Sequence, residues 1–233
     1  MIIALEGIDG SGKHTQATLL RSRLERSGFS TVLFSFPRYG QTFFANSITD
    51  YLAGRFGSLS SVDPHLAALF YAGDRFETKP SIIAAMSDYD VVLCDRYVAS
   101  NLAHQGARMP TSSCFQFIQW VATLEHEVYG LPRAQLTLYF DTSSEAASVL
   151  IRSRAQGSST SAAADIHESD TAYLERCREV YRMLADQNFL SDWQTISCLD
   201  ASGHVRDPST IASAVWDISY PAIAQSCHLR QPI

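Results

Sequence analysis

The chain has 233 residues, 46% of them hydrophobic and 18% charged, so it can bury a sizeable core and we expect one domain over residues 1–233. Its 18 basic and 24 acidic side chains give a net charge of −6, which argues against nonspecific nucleic-acid binding. The five cysteines lack metal-ligand spacing and no signal peptide or membrane-length apolar run is evident, so we expect a cytoplasmic protein with reduced thiols and no membrane partner.

The predicted elements alternate between short apolar strands and longer helical stretches. Runs rich in β-branched residues predict five strands, at residues 2–5, 31–36, 90–94, 136–140 and 194–199. The first helix carries Ala17, Leu20 and Leu24 on one face and should end at Gly28. Strands that alternate with helices predict an α/β fold in which helices cover both faces of a parallel sheet and ligands bind at the carboxyl ends of the strands.

A phosphate-binding loop is predicted after the first strand, where the sequence reads Gly7-Ile8-Asp9-Gly10-Ser11-Gly12-Lys13-His14-Thr15 and a helical pattern follows. Glycines in such a loop expose backbone N–H groups to phosphate oxygens, and the lysine reaches the β and γ phosphates. An ordinary glycine-rich turn is the alternative, but it does not explain a lysine at this spacing. The predicted ATP-binding residues here are Gly7, Asp9, Gly10, Ser11, Gly12, Lys13, His14 and Thr15.

The residue after the loop lysine departs from the usual pattern, because His14 stands where a Ser or Thr normally ligates Mg²⁺. Thr15 lies about 100° further round the helix and is no automatic substitute. Since Mg²⁺ prefers hard oxygen ligands to imidazole, the ion that accompanies ATP is expected on carboxylates. The predicted ligands are Asp9 and Asp95, the latter at the end of the third strand, where an aspartate is often only a helix cap or an ion-pair partner.

Three arginines are predicted to converge at the same edge of the sheet. Arg96 follows the third strand, Arg38 lies in the FPRYG segment after the second strand, and Arg75 lies in a later helical stretch. The FPRYG segment alone is weak evidence, since Pro and Gly also mark ordinary loops. Together the arginines suit an anionic second substrate that faces the ATP phosphates.

Four motifs together resemble the thymidylate kinase family: EGIDGSGKHTQ at the phosphate-binding loop, FPRYG after the second strand, YAGDR at residues 71–75, and DRYVASNLAHQGAR at residues 95–108. The resemblance covers most of the chain. It implies a three-layer P-loop NTPase fold with a five-stranded parallel sheet flanked by helices and a short lid. It also implies a homodimer that binds ATP with Mg²⁺ and phosphorylates dTMP to dTDP. A short match at residues 200–203 resembles the family's adenine-side loop.

The resemblance also implies roles for residues of the acceptor site. Tyr71 would stack on the base, Arg75 would recognise a thymine carbonyl, and Asn101 would face the ring with its amide. His104 falls near the sugar, where its packing would disfavour a 2′-hydroxyl, and a partly buried helical histidine is an equal alternative. The full set of implied substrate-binding residues is Phe36, Arg38, Tyr39, Tyr71, Arg75, Arg96, Asn101, His104 and Gln105.

A lid is implied over about residues 152–168, with Arg152 and Arg154 before a serine-rich stretch and Glu168 after it. Composition alone favours a flexible spacer over a closing lid for residues 157–164. The region has fewer arginines than the family usually places there, so Lys13, Mg²⁺ and Arg152 or Arg154 would neutralise the γ-phosphate. Glu168 stands in a DxxE arrangement that resembles mycobacterial-type members, which makes it a third predicted metal ligand or else a solvent-facing residue at a helix N-terminus.

The expected reaction is in-line transfer of the γ-phosphate to the dTMP phosphate, with Lys13, Arg96, Arg38 and Asp9 as catalytic residues. A deoxynucleoside kinase of similar fold is one alternative. It needs a carboxylate base near the sugar, and arginines around the acceptor argue against it. The other alternative is a nucleotide-binding regulatory protein without catalysis, for which His14 and the arginine-poor lid are the only hints.

Two further expectations concern the periphery of the domain. Phe117, Val121 and Leu124 share a helical stripe that could contribute to a dimer contact or belong to the core. A final helix is expected from its cap at Asp207 through Trp216, followed by a loosely ordered tail at residues 221–233.

Overall fold

Five parallel strands form the centre of the molecule. A computed structural model describes residues 1–58, 61–157 and 170–228, except for the side chains of residues 154–157, 227 and 228. The strands pair in the order β2-β3-β1-β4-β5, and every pair is parallel. The predicted α/β fold is confirmed, and strand boundaries are shifted only slightly. The strands are β1 (Ile2–Glu6), β2 (Thr31–Ser35), β3 (Val91–Asp95), β4 (Leu136–Asp141) and β5 (Asp192–Ser197).

Helices cover both faces of this sheet. They are α1 (Lys13–Arg26), α2 (Phe43–Leu52), α3 (Pro64–Asp88), α4 (Val98–Gly106), α5 (Thr111–Ala122), α6 (Ser144–Gly157), α7 (Thr171–Asp186) and α8 (Pro208–His228). A π-helix, Thr123–Val128, continues directly from α5. Within the described ranges, no helix has both the length and the apolar character needed to cross a lipid bilayer.

The two faces of the sheet carry separate hydrophobic clusters, because side chains alternate along each strand. Ile2 and Ala4 of β1 belong to one cluster, which also contains residues of α3, α4, α5 and α7. Ile3 and Leu5 belong to the other cluster, together with residues of α1 and α8. Every residue of β1 and β3 is buried, as expected for central strands of a parallel sheet.

The strand order places a crevice at the carboxyl ends of β1 and β3. The chain leaves β1 towards β2 on one side and later enters β4 on the other side. Ligands of open α/β sheets bind where the strand order reverses in this way. The register aligns Leu5 with Asp95, so the loops after β1 and β3 begin side by side.

The final helix is longer than the sequence pattern indicates. It begins at Pro208 as predicted, but it continues past Trp216 and Pro221 to His228. Ile223, which lies in this added part of the helix, is fully buried in the hydrophobic cluster that also contains residues of β1 and α1. Packing against the sheet therefore stabilises the helix beyond Pro221. The expectation of a loose tail is therefore wrong for residues 221–228, and residues 229–233 lie outside the described ranges.

Candidate active site

The phosphate-binding loop joins β1 to α1 as predicted. Gly12 caps α1 with a φ of 86°, a left-handed conformation that glycine adopts without strain. Gly10 has a φ of 78°, and a Cβ atom there would lie 2.5 Å from the carbonyl oxygen of Ala147 in α6. The close approach of the loop to α6 therefore requires glycine at position 10. The N-terminus of α1 follows this loop directly, which is a favourable place for a phosphate.

Lys13 folds back over this loop. Its Nζ donates hydrogen bonds to the Ile8 carbonyl oxygen at 2.7 Å and to Ser11 Oγ at 3.3 Å. Burial, followed by the nearby charge of Arg96, lowers the pKa of Lys13 to about 8, although Asp9 opposes the shift. The ammonium group is thus held, largely desolvated, where the phosphates of ATP are expected.

Arg96 links the loop after β3 to the phosphate-binding loop. Its Nη2 donates to Asp9 Oδ1, and its Nη1 donates to Ser100 Oγ at 3.1 Å and to His104 Nε2 at 3.2 Å. The φ of Arg96 is 66°. That conformation is uncommon outside glycine and costs about 1–3 kcal/mol, so it persists only where surrounding contacts impose it, often at active sites.

The charges around Asp9 keep its carboxyl group ionised. Burial alone would raise the pKa of Asp9, but the charge of Arg96, together with that of Lys13, lowers it well below its ordinary value. Burial would likewise lower the pKa of Arg96, and the charge of Asp9 raises it instead. The two side chains therefore form an ion pair at neutral pH.

Glu6, the last residue of β1, stabilises the segment that follows Arg96. Its buried carboxylate accepts hydrogen bonds from Tyr97 N at 2.7 Å, Ser100 Oγ at 2.6 Å and Tyr181 OH at 3.0 Å. These contacts fix the beginning of α4, directly after Arg96. The sequence interpretation gave Glu6 no role, although a carboxylate that ends an apolar strand is a signal that could have revealed it.

Two of the predicted metal ligands, Asp9 and Asp95, lie close enough to Lys13 for their charges to raise its pKa. Asp9 binds Arg96 through Oδ1, and Asp95 contacts His14 Nδ1 through Oδ2 at 2.9 Å. Mg²⁺ that accompanies ATP keeps waters and phosphate oxygens and needs only one or two carboxylates, so the other carboxylate oxygens fit this ion. No cluster of three or more metal-binding side chains occurs in the described part of the chain, and Glu168 lies outside it.

A cavity of about 270 Å³ adjoins the phosphate-binding loop, with Asp9 in its wall. Aromatic faces and a few directed polar groups line it, a mixture typical of small-molecule sites. The cavity brings together the predicted substrate-binding residues apart from Arg38, namely Phe36, Tyr39, Tyr71, Arg75, Arg96, Asn101, His104 and Gln105.

Arg38 is absent from the walls of this cavity. Its guanidinium lies over the Phe34 ring, 5.1 Å from the centroid, and its Nη2 donates to Gln41 Oε1. Its backbone N–H donates to Asp74 Oδ2 at 3.0 Å, which ties the FPRYG segment to α3. The expected convergence of three arginines is therefore limited to Arg75 and Arg96. A contact from Arg38 to an acceptor phosphate would require its side chain to rotate.

Arg75 lines the cavity but is otherwise buried, with 2% of its surface exposed. Its Nε and Nη2 donate to the two carboxylate oxygens of Glu125, at 2.6 and 2.5 Å, and Glu125 is itself fully buried. Burial alone would lower the pKa of Arg75, but the charge of Glu125 raises it. Part of the guanidinium that was expected to read a thymine carbonyl is thus engaged within the protein, by a residue that the sequence interpretation missed.

His104 connects the cavity to α7. Its Nε2 accepts from Arg96, and its Nδ1 lies 3.3 Å from Tyr173 OH, which donates to the His104 carbonyl oxygen at 3.0 Å. Because Nε2 accepts, a neutral ring carries its proton on Nδ1. Tyr173 also lines the cavity, and the sequence interpretation gave it no role.

Comparison with known proteins identifies the family, since the sequence model described as Thymidylate kinase matches residues 5–201. The chain belongs to the thymidylate kinase family. The thymidylate kinase of Mycobacterium tuberculosis (strain ATCC 25618 / H37Rv) is 34% identical over 222 residues, which cover 95% of this chain and 100% of the relative. A thymidylate kinase of Synechococcus sp. (strain JA-3-3Ab) is 31% identical over 224 residues, which cover 96% of this chain and 97% of the relative. A probable thymidylate kinase of Pyrobaculum aerophilum is 30% identical over 218 residues, which cover 93% of this chain and 94% of the relative.

Thymidylate kinases phosphorylate dTMP to dTDP with ATP as the phosphate donor. The family, the P-loop fold and the reaction class expected from the four motifs are therefore confirmed. The five parallel strands and the flanking helices agree with the architecture that the resemblance implied.

The structure describes only some of the residues that are predicted to bind ATP. Thr15 is exposed at the start of α1, and Arg152 is exposed on α6. The side chain of Arg154 and residues 158–169, which include most of the predicted lid, lie outside the description. At the predicted adenine-side loop, Asp200 Oδ1 accepts from the backbone N–H groups of Ser202 and His204, at 2.8 and 3.0 Å. The lid and the adenine-side loop remain predictions.

Proposed function

We propose that this chain transfers the γ-phosphate of Mg²⁺-bound ATP to dTMP. The observation that carries the proposal is the position of Arg96. This residue lines the acceptor cavity, and its guanidinium binds Asp9 of the phosphate-binding loop. One charged group thus spans the two sites between which a phosphate must pass, and phosphoryl transfer depends mainly on such alignment and charge neutralisation.

The donor phosphates would lie in the loop before α1. The backbone N–H groups at the N-terminus of α1 and the Lys13 ammonium supply positive charge there. Asp9 and Asp95 would hold the metal through the carboxylate oxygens that Arg96 and His14 do not use. A metal ion held by these carboxylates would supply positive charge against the negative charge that develops during transfer.

The acceptor base would lie among the aromatic and polar residues of the cavity. Stacking on Tyr71 contributes about 0.5–1.5 kcal/mol and holds any base without identifying it. Arg75 and Asn101 supply polar groups that a wrong base would leave unpaired, and such mismatches can discriminate by factors near ~10⁴. With the base at these two residues, the acceptor phosphate would lie towards Arg96 and the donor.

The transfer itself requires no covalent intermediate with the protein. An oxygen of the dTMP phosphate attacks the γ-phosphorus, the bond to the β–γ bridging oxygen breaks, and ADP leaves with that oxygen. Lys13 would stabilise the charge on the donor, and Arg96 would stabilise the charge shared by the two phosphates. Glu6 contributes indirectly, because it fixes the beginning of α4 next to Arg96.

A deoxynucleoside kinase is the rival function, since it would act on an uncharged acceptor with a similar fold. Such an enzyme needs a carboxylate that can accept a hydroxyl proton near the sugar. In the described part of the chain, the carboxylate that lines the cavity is Asp9, which is paired with Arg96 and has a lowered pKa. A paired, weakly basic carboxylate is a poor general base, so the structure favours dTMP over thymidine.

The proposal includes a homodimer in the cytoplasm. Phe117 and Val121, which the sequence offered for the contact or for the core, are 2% and 0% exposed and belong to the core. Phe76 and Ile83 of α3 expose 47% and 48% of their surface, and Val128 exposes 68%, so these residues are better candidates for a subunit contact. The four described cysteines are buried free thiols, which suits a reducing compartment.

A coupled assay of ADP release tests the proposal. With ATP and Mg²⁺, dTMP should give the highest turnover, dUMP a lower one, and thymidine, dCMP or AMP very little. Turnover of thymidine comparable with that of dTMP would favour the deoxynucleoside kinase. Binding of ATP without turnover on any of these acceptors would favour the regulatory protein.

A further inference from the structure

The cavity wall contains a buried amide with one unused hydrogen-bonding atom. Asn101 is 2% exposed, and its Nδ2 donates to the Ala68 carbonyl oxygen at 3.1 Å and to Glu125 Oε1 at 2.8 Å. Its Oδ1 has no hydrogen-bond partner among the described residues. A buried acceptor without a partner is costly, so it favours a ligand that brings a donor.

The surroundings of this amide fix its orientation. Both protons of Nδ2 are used by acceptors, one on Ala68 and one on Glu125. Rotating the amide by half a turn would place Oδ1 against a carbonyl oxygen and a carboxylate oxygen, and neither of these can donate. Glu125 accepts from Arg75 at the same time, so one carboxylate orients both polar groups that were expected to read the base.

We propose that Glu125 is a positioning residue that sets pyrimidine selectivity. It orients Asn101 so that a hydrogen-bond acceptor faces the base, and it orients Arg75 so that hydrogen-bond donors face the base. This inference rests on dTMP being the acceptor. Thymine and uracil carry an N–H at N3 and a carbonyl at C4, which complement these groups. Cytosine carries a lone pair at N3 and an amino group at C4, so it would set acceptor against acceptor and donor against donor.

Glu125 acts through these two residues rather than by contact with the substrate. It is fully buried and does not line the cavity, whereas Arg75 and Asn101 do. It lies in the π-helix that follows α5, and π-helical turns are frequent at functional sites. Removing its charge should therefore change which base is preferred before it changes the chemistry at the phosphates.

Glu125→Gln is the main test, because glutamine keeps the size but gains two donors. The new amide can donate to Asn101 Oδ1 and thus allow the opposite orientation. We expect the ratio of kcat/KM for dTMP over dCMP to fall by about tenfold or more, mainly through a higher KM for dTMP. The ratio for dTMP over dUMP should stay constant, since neither Asn101 nor Arg75 is proposed to read the 5-methyl group. Glu127→Gln, an exposed neighbour on the same turn, is the matched control and should behave like the wild type.

A second variant covers the case in which Glu125→Gln fails to fold with the Arg75 charge unpaired. Glu125→Asp keeps that charge balanced, but its carboxylate is one methylene shorter and cannot reach both partners as glutamate does. We expect a smaller fall in the same ratio. Circular dichroism checks folding, and calorimetric titration with dTMP and with dCMP, in the absence of ATP, gives the base preference independently of turnover.

The outcomes separate this inference from the proposed function. A folded variant that keeps the dTMP over dCMP ratio within a factor of about two would overturn the inference, as would equal losses for both nucleotides, which indicate a merely structural role. A wild-type protein that prefers dTMP in calorimetry but does not phosphorylate it would contradict the proposed function alone. A wild-type protein without preference for dTMP over dCMP would contradict both.

Discussion

The Arg96 guanidinium lies against the Asp9 carboxylate, so the arginine that borders the acceptor cavity is already paired with a residue of the phosphate-binding loop. Both side chains are partly shielded, with exposures of 17% for Arg96 and 24% for Asp9. An incoming phosphate offers Arg96 a second anion, and an incoming Mg²⁺ offers Asp9 a second cation. When the acceptor phosphate and Mg²⁺ bind, Arg96 and Asp9 would therefore exchange part of their mutual contact for contacts with these ligands.

Asp9→Asn should nearly abolish turnover and weaken its dependence on Mg²⁺. The amide keeps the size of the side chain, but it neither binds the ion as a carboxylate does nor balances the charge of Arg96. We expect kcat to fall by about 10²-fold or more. The measurement is a Mg²⁺ titration at saturating ATP and dTMP.

His14→Ala is the counterpart and should retain most activity. The His14 side chain is 71% exposed and contacts Asp95, but an imidazole is a poor ligand for Mg²⁺. The same titration should give a metal dependence close to that of the wild type. Normal metal dependence in Asp9→Asn combined with a collapse in His14→Ala would overturn the assignment of the metal to carboxylates.

Arg96→Ala should lower kcat by about 10²–10³-fold and change the KM for dTMP much less, because it removes charge stabilisation at the reacting phosphates. Steady-state kinetics with both substrates measures this difference. Arg21→Ala serves as the control, since Arg21 forms an exposed ion pair with Glu25 on α1 and should leave the kinetics unchanged. A loss in Arg96→Ala that is confined to KM would show that the guanidinium only binds the acceptor.

Arg75→Ala should both raise the KM for dTMP and destabilise the protein. The substitution leaves the fully buried Glu125 without its cation, which typically costs about 3–5 kcal/mol. From the sequence alone, only the effect on substrate binding is expected. Urea unfolding followed by circular dichroism measures the loss, and a variant of wild-type stability would refute the structural part of this prediction.

Much of the site follows from local sequence patterns. The lysine and glycines of the phosphate-binding loop have a fixed spacing after an apolar strand, so the loop could be located without a structure. Asn101, His104 and Gln105 lie at helical spacings i, i+3 and i+4, which places them on one face of α4, and all three line the cavity. For residues on one face of a helix, the periodicity of the local sequence is therefore enough to predict that they lie together.

Other parts depend on packing that the sequence does not display. The predicted stripe of Phe117, Val121 and Leu124 assumes a regular helix, whereas the π-helix that begins at Thr123 shifts the register and buries Glu125. Arg38 was expected at the acceptor phosphate, but its orientation is set by contacts with Phe34 and Gln41 that have no sequence signature. Both differences arise from tertiary contacts that compete with local preference.

Ile83→Glu should convert the proposed dimer into a monomer. Ile83 exposes 48% of its surface on α3, and a buried, unpaired carboxylate at a subunit contact would oppose association. Light scattering at micromolar concentration measures the mass. Leu19→Glu is the control, because Leu19 is 40% exposed on α1 and should leave the dimer intact. A wild-type monomer under these conditions would reject the dimer itself.

The lowered pKa of Lys13 predicts opposite effects of alkaline pH on activity and on stability. Only the protonated ammonium stabilises phosphate charge, and kcat/KM reports ionisations of the free enzyme. Since burial lowers this pKa to about 8, kcat/KM for ATP should decline above that pH. A profile that stays flat to about pH 10 would contradict this pKa, because the ordinary pKa of lysine is 10.5.

The stability effect has the other sign, because the unfolded chain holds its Lys13 proton more tightly than the folded protein does. Between the folded value of about 8 and the ordinary value of 10.5, the unfolded state binds more protons, so the contribution of Lys13 to folding rises with pH. The difference in unfolding free energy between the wild type and Lys13→Met should therefore shift in favour of the wild type by about 2 kcal/mol from pH 8 to pH 10. Taking this difference cancels the titration of all other groups to first order. Urea denaturation of both proteins across this range measures it, and a pH-independent difference would show that Lys13 is not desolvated in the free enzyme.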